Sequence, residues 1–227
     1  MQPDYPGGVI LAIDTSVGTA VAVLEDDGVV LAEGRSQNPL GHAEVIGGLL
    51  QDALAAASGS IEARGEQLTH VAAGMGPGPF TGLRVGIAAA RAFALGRGIP
   101  VVPVVSHDAV ALEIFLAGAM TDTEVARFAV VTDARRREFA FTVYEGIDDD
   151  GLPVRVTDPG LIPRDELDAR LAELGAERRD AAGISAAMVA VIAGRAIAAG
   201  RSTAPTEPLY LRSPDVTMPH GPKRVTA

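Results

Sequence analysis

The sequence predicts an α/β fold made of two related halves, with mixed sheets flanked by helices. Three observations support it. The pattern strand, acidic end, strand, acidic turn, strand occurs twice, near residues 9–33 and again near residues 128–156. Segments with apolar residues at three- and four-residue steps lie between and after the two copies. Hydrophobic residues make up 48% of the 227, yet aromatics only 4%, with no tryptophan. The core must therefore be filled with Ala, Val, Leu and Ile, which suits helices laid on sheets.

The first copy opens with an apolar run at residues 9–13 that ends in Asp14-Thr15-Ser16, and residues 20–24 form its second strand. Glu25-Asp26-Asp27-Gly28 reads as a hairpin, since an Asp-Gly step tolerates the positive φ of a primed turn, and residues 29–33 return as a third strand. From 41 to 58, Val45, Ile46, Leu49, Leu50, Ala53, Leu54 and Ala57 recur at helical spacing and predict an amphipathic helix. A short strand at 71–73 leads into a glycine-rich loop, a helix over 80–95 and another strand at 101–105. Ser106-His107-Asp108 reads as a helix start, with Ser106 capping and Asp108 in the first turn.

In the second copy, residues 128–132 run into Asp133, residues 139–144 alternate as a second strand, and Asp148-Asp149-Asp150-Gly151 makes an acidic turn. A weaker third strand at 153–156 and helices near 164–174 and 185–199 follow. The predicted organisation is a flexible lead-in at 1–8, a first lobe at 9–106, a second at 107–212 and a flexible tail at 213–227. The second lobe is expected to be reduced.

The segment GMGPGPFTGLRVGIAAARAFA is the most distinctive local feature. Gly74, Gly76 and Gly78 alternate with Met75, Pro77 and Pro79 before Phe80 and Thr81 open the helix. Such a loop is rigid and nearly free of side chains, so another backbone can approach it closely. It is not a P-loop, which needs GxxxxGK[ST]; the only lysine of the chain is Lys223. In the helix, Gly82, Gly86 and Ala90 fall at steps of four with Ala89 beside them, and Leu83 lies on a neighbouring stripe. A stripe this bare implies close packing against something, in this chain or in another.

Composition excludes several classes. No run approaches the length of a membrane helix, and the start MQPDYPGG lacks the basic and apolar regions of a secretory leader, so a cytoplasmic protein without a membrane partner is expected. The absence of cysteine removes disulfides and thiolate metal sites. A net charge of −10 with few aromatics argues against tight binding of RNA by this chain alone.

ILAIDTS, the GMGPGPFTGLRVGIAAARAFALG block, VTDARRREFAFTVYE and PLYLR together resemble the bacterial TsaB (YeaZ) family, within the actin, sugar-kinase and heat-shock ATPase superfamily, across residues 10–212. The resemblance implies two actin-like (RNase H-like) lobes. It also implies a non-catalytic partner of TsaD, working with TsaD and the ATPase TsaE to form threonylcarbamoyladenosine beside the anticodon of tRNA. The chain itself would hold no cofactor, with ATP and metal belonging to the partners. It would meet tRNA only through the complex, and would form a homodimer when TsaD is absent. The implied interface lies on the two first-lobe helices, with Val45, Ile46, Leu49, Leu50 and Ala53 on one and Gly82, Leu83, Gly86, Ala89, Ala90 and Phe93 on the other. One departure from the family pattern concerns residues 175–183, GAERRDAAG, which stand where a strand and a glycine-rich turn are usual.

Chemical candidates are few. Asp14, Thr15 and Ser16 occupy the place of a phosphate-binding turn in active superfamily members, and Asp133 the corresponding place in the second half. Two readings stand: carboxylates flanking a metal–phosphate cleft, or strand-end aspartates holding turns. His42, His70, His107 and His220 are far apart, and no pair sits four residues apart as a helical metal site requires. Consecutive Ser106-His107-Asp108 cannot act as nucleophile, base and orienter. Arg135-Arg136-Arg137 reads as a solvated connection or a contact for nucleotide or tRNA phosphate. Two further activities compete with the accessory role: an ATP-dependent phosphotransferase of the sugar-kinase type, and a peptidase.

Overall fold

A computed structural model describes residues 8–38, 41–64 and 67–212. The predicted lead-in, apart from Gly8, and the predicted tail lie outside the described residues. The first half comprises β1 (Gly8–Asp14), β2 (Thr19–Glu25), β3 (Val30–Ser36), α1 (His42–Arg64), β4 (Gln67–Gly74), α2 (Phe80–Arg97) and β5 (Val101–Val104). The second comprises α3 (Ser106–Met120), β6 (Phe128–Asp133), β7 (Glu138–Ile147), β8 (Pro153–Arg155), β9 (Gly160–Pro163), α4 (Leu167–Leu174), β10 (Glu177–Asp180) and α5 (Ala186–Ala198).

The duplication is visible strand by strand. The first sheet has the order β3-β2-β1-β4-β5, an antiparallel meander extended by two parallel strands. In the second, β6 pairs antiparallel with β7, β7 with both β8 and β9, and β10 lies parallel to β6. Thus β6, β7 and β10 repeat β1, β2 and β4, while β8 and β9 share the place of β3. Nothing repeats β5 among the described residues, and the eight-residue α4 stands where the first half has the 23-residue α1. In this sense the second half is reduced.

The interval 175–183 nevertheless contains a strand, contrary to the sequence expectation. Glu177–Asp180 is exposed along its length and carries only charged side chains, so it shows no apolar alternation. Its strand character comes from backbone pairing to β6, from Glu177 opposite Phe128 to Asp180 opposite Val131. β9, another strand outside the predicted set, is a four-residue segment held against the start of β7.

Alternation in β1 and β2 divides the core. Val9, Leu11, Ile13, Val21 and Val23 face α1 and α2, with Ile46, Ala53, Ala57, Ala90 and Ala94 packed against them. Ile10, Ala12, Ala20, Ala22 and Leu24 face α3 and α5 on the opposite side. Both faces of β1 are therefore buried, which is why it reads as a continuous apolar run. No helix among the described residues is long and apolar enough to cross a membrane.

Candidate functional site

The glycine loop is shaped by the chain's own β1–β2 turn. A Cβ at Gly78 would lie 2.7 Å from Ser16 Cα, one at Gly82 would lie 2.7 Å from the Thr15 carbonyl oxygen, and those at Gly74 and Gly86 would run into Asp14 and Thr15. The Thr15 hydroxyl donates to the Gly82 carbonyl at 2.7 Å. The bare stripe thus faces inward. Gly82, Leu83, Gly86 and Ala90, expected at an interface, are buried within the monomer, as are Ile46 and Ala53 under the first sheet. Spacing reveals that a surface is bare but not which partner approaches it. Val45, Leu49, Leu50, Ala89 and Phe93 remain half-buried and border the outer surface.

Asp14 is committed to structure. Its Oδ1 accepts the Ser16 amide at 2.8 Å and the Ser16 hydroxyl at 2.5 Å, while Oδ2 accepts the Ser106 hydroxyl at 2.5 Å. Ser106 in turn accepts the Gly76 amide at 3.1 Å. Ser106 therefore does not cap α3, contrary to expectation; the residue preceding the helix is Val105, and no side chain caps it. Burial raises the Asp14 carboxyl above its ordinary value, with the hydrogen bonds from Ser106 and Ser16 working against that shift. Asp133 has a different environment. It is exposed, and Oδ1 accepts the Arg135 amide at 2.8 Å and pairs with Arg164 at 2.7 Å. Slight burial acts upward on its carboxyl, but those two partners hold it below the usual carboxylate range.

The residues after Asp14 and Asp133 meet across a cleft of about 510 Å³ between the halves. Ser16, His42 and the Gly78–Gly82 stretch line one side, and Thr132, Asp133, Arg135, Arg136 and Leu161 the other. Tyr210, Leu211 and Arg212 also line it. Asp14 and Thr15 do not reach it. Among the described residues no three His, Asp or Glu side chains converge as a metal site would require.

The C-terminal PLYLR segment straps the two halves together, a role its spacing does not announce. The Leu209 amide donates to the Met75 carbonyl at 2.8 Å, and the Tyr210 ring packs against Phe80 at a tilt of 43° with centroids 4.6 Å apart. Arg84 lies over Phe80 and donates to the Tyr210 hydroxyl at 3.2 Å, while Arg212 pairs with Glu138 in the second half.

Ser106, His107 and Asp108 each bond to buried groups elsewhere in the chain, with Ser106 joined to Asp14 and the Gly76 amide, instead of forming a catalytic relay. His107 is bonded through Nδ1 to Thr142 Oγ1 and through Nε2 to Thr132 Oγ1, both at 2.9 Å. Asp108 accepts Arg155 and the Tyr144 hydroxyl. Burial, assisted by the Arg155 charge, lowers the His107 pKa to about 3, so the ring is neutral.

Residues 38–152 match the family model of TsaD, tRNA N6-adenosine threonylcarbamoyltransferase. An uncharacterized protein of Mycobacterium tuberculosis is 37% identical over 220 residues, covering 91% of this chain and 92% of that protein. The tRNA threonylcarbamoyladenosine biosynthesis protein TsaB of Escherichia coli is 32% identical over 143 residues, covering 63% of this chain and 57% of that protein. The solved structure of YeaZ from Pseudomonas aeruginosa superposes with a TM-score of 0.68 at 22% identity, covering 90% of this chain and 100% of that one. That last likeness bears on the fold.

Proposed function

Since the chain belongs to the TsaB (YeaZ) family within the wider TsaD group, we propose that it is the non-catalytic partner subunit of a TsaD-containing complex that makes threonylcarbamoyladenosine in tRNA. Family membership supports the pathway. The partner role is supported by one feature of α1. Gly47 and Gly48 are exposed in the second turn of that helix, and a Cβ on either would meet nothing within 4 Å. Each glycine costs the helix about 1 kcal/mol relative to alanine. No close approach inside the chain requires them, whereas Gly82 and Gly86 have such a reason. On α2, Ala88 and Ala92 are also exposed, and Leu95 is 85% exposed. A helix from another subunit could approach this smooth surface closely, with TsaD as the partner and a second copy of this chain taking its place when TsaD is absent.

A non-catalytic role agrees with the commitment of Asp14 to Ser16 and Ser106 and with the solvent-facing pairing of Asp133 to Arg164. Nucleotide turnover, metal and the contribution of TsaE then belong to the partners. Co-purification with TsaD from the native cell, followed by size measurement of wild type and Leu95→Glu, tests the reading. Complex formation with wild type and its loss in the variant is the expected result. An intact complex with Leu95→Glu would place the interface elsewhere.

A further inference from the structure

A second cavity, of about 280 Å³, shares no lining residue with the cleft between the halves. It lies where the turn before β8, the start of α3 and the chain after α5 meet, and Asp108, Asp148, Arg155, Asp158 and Arg201 bring charge to it. None of these residues belongs to the exposed face of α1 and α2.

The most buried of them form an ion pair. Arg155 Nε donates to Asp108 Oδ1 at 2.7 Å, and Nη2 donates to Asp108 Oδ2 and, at 2.8 Å, to the Thr203 carbonyl. The Tyr144 hydroxyl also donates to Asp108 Oδ1 at 2.7 Å, and Asp108 is 2% exposed. A buried ion pair adds little net stability over apolar packing, because desolvation offsets the attraction. Stability therefore does not account for a pair kept in a cavity wall. The arrangement does fix the plane of the guanidinium, and it leaves Arg155 Nη1 without a hydrogen-bond partner among the described residues.

Arg201 repeats this on the surface side. Its Nη1 donates to Asp148 Oδ2 at 2.6 Å and to Asp150 Oδ2 at 2.5 Å, while Nη2 has no partner among the described residues. Asp158 is the opposite case. It is exposed, and its carboxylate has no hydrogen bond or ion pair among the described residues. Two anchored arginines with donors to spare thus share a cavity with one free carboxylate.

That combination selects the ligand's charge. A simple anion would be opposed by Asp158, and a simple cation by the two guanidinium groups, whereas a dipolar molecule satisfies both. The volume is below that of sites for drug-sized ligands, so the molecule is small. Leu152, Pro153 and Val154 provide an apolar wall for a short aliphatic side chain.

We propose that this cavity binds a free aliphatic α-amino acid as its zwitterion, with the carboxylate on Arg155 Nη1 and Arg201 and the ammonium on Asp158. The proposal is independent of the partner role and invokes no reaction. Titration of the full chain with L-valine at constant pH and ionic strength, followed by amide chemical shifts in NMR, tests it. Saturable shifts centred on the amides of Val154, Arg155, Asp158 and Thr203 are expected. N-acetyl-L-valine lacks the ammonium and L-valine methyl ester lacks the carboxylate. Each should bind at least about tenfold more weakly, since each leaves a charged group without its partner. Asp158→Asn should weaken L-valine binding about tenfold and erase its advantage over N-acetyl-L-valine. Arg201→Gln should erase the advantage over the methyl ester. Arg201 also anchors the Asp148 turn, so Asp158→Asn, at an exposed side chain without a partner, keeps the test valid should Arg201→Gln perturb the fold. Absence of saturable shifts at these amides with L-valine would overturn the proposal, as would equal affinity for either capped form or unchanged affinity in Asp158→Asn. Tighter binding of the methyl ester than of L-valine would reassign the cavity to the amino terminus of a peptide and likewise overturn the proposal.

Discussion

The Ser106 hydroxyl donates to Asp14 Oδ2 at 2.5 Å across 92 residues of sequence and accepts the Gly76 amide at 3.1 Å. One buried hydroxyl thereby ties the end of β1, the glycine loop and the start of α3. Asp14 is the hub of that junction.

Asp14→Ala should leave the Ser106 hydroxyl and the Ser16 amide without their acceptor, costing about 1–3 kcal/mol in urea unfolding. Asp14→Asn should cost less at neutral pH. Because burial raises the folded carboxyl pKa above 3.8, with Ser106 and Ser16 opposing, its stabilisation is complete below 3.8 and is lost as pH rises through the folded value. The deficit of Asp14→Asn relative to wild type should therefore shrink as pH rises from 3.8. The isolated chain should show no ATP turnover and only weak Mg-ATP affinity by calorimetry. Submicromolar binding abolished by Asp14→Ala would contradict the strut role.

His107 should make stability fall in acid. Its folded pKa of about 3 lies below the ordinary 6.5, so its contribution is present above 6.5 and is lost as pH falls toward 3. The slope from this residue approaches about 1.4 kcal/mol per pH unit well inside that window. His107→Gln should flatten it, as measured by urea unfolding across the window. An unchanged slope would show that another group controls acid unfolding.

Replacements on the two glycine sets should separate folding from association. Gly86→Leu forces a side chain into Thr15 and should destabilise the monomer by about 1–3 kcal/mol or more. Gly47→Ala and Gly48→Ala should each stabilise the monomer by about 1 kcal/mol while weakening association with TsaD or with a second copy. Melting curves with size measurement on each variant distinguish the outcomes. Tighter association in Gly47→Ala would exclude close helix approach there.

The isolated chain should bind tRNA poorly in a mobility-shift titration at physiological salt, because its net charge is −10. The triple variant Arg135→Ala/Arg136→Ala/Arg137→Ala should differ little from wild type in that assay. Tight binding lost in the triple variant would identify the arginine turn as an RNA contact.

Local pattern determined most of the fold. The apolar runs before Asp14 and Asp133, the acidic turns and the helical spacing of Val45 to Ala57 each encode one element, and their repetition encodes the duplication. Patterns written in side chains were legible because burial selects side chains. β10 was not legible, since its four charged residues become a strand only by pairing with the β6 backbone. The same limit applies to the site. Sequence indicated that Gly82 and Gly86 had to be bare, but only tertiary structure showed that Thr15 fills the space, while Gly47 and Gly48 face outward. It likewise brought His42, the start of α2 and Arg135 to one cleft from segments nearly a hundred residues apart. Residue spacing reports periodicity along an element. What lies opposite is set by how the elements stack, and no single segment encodes that.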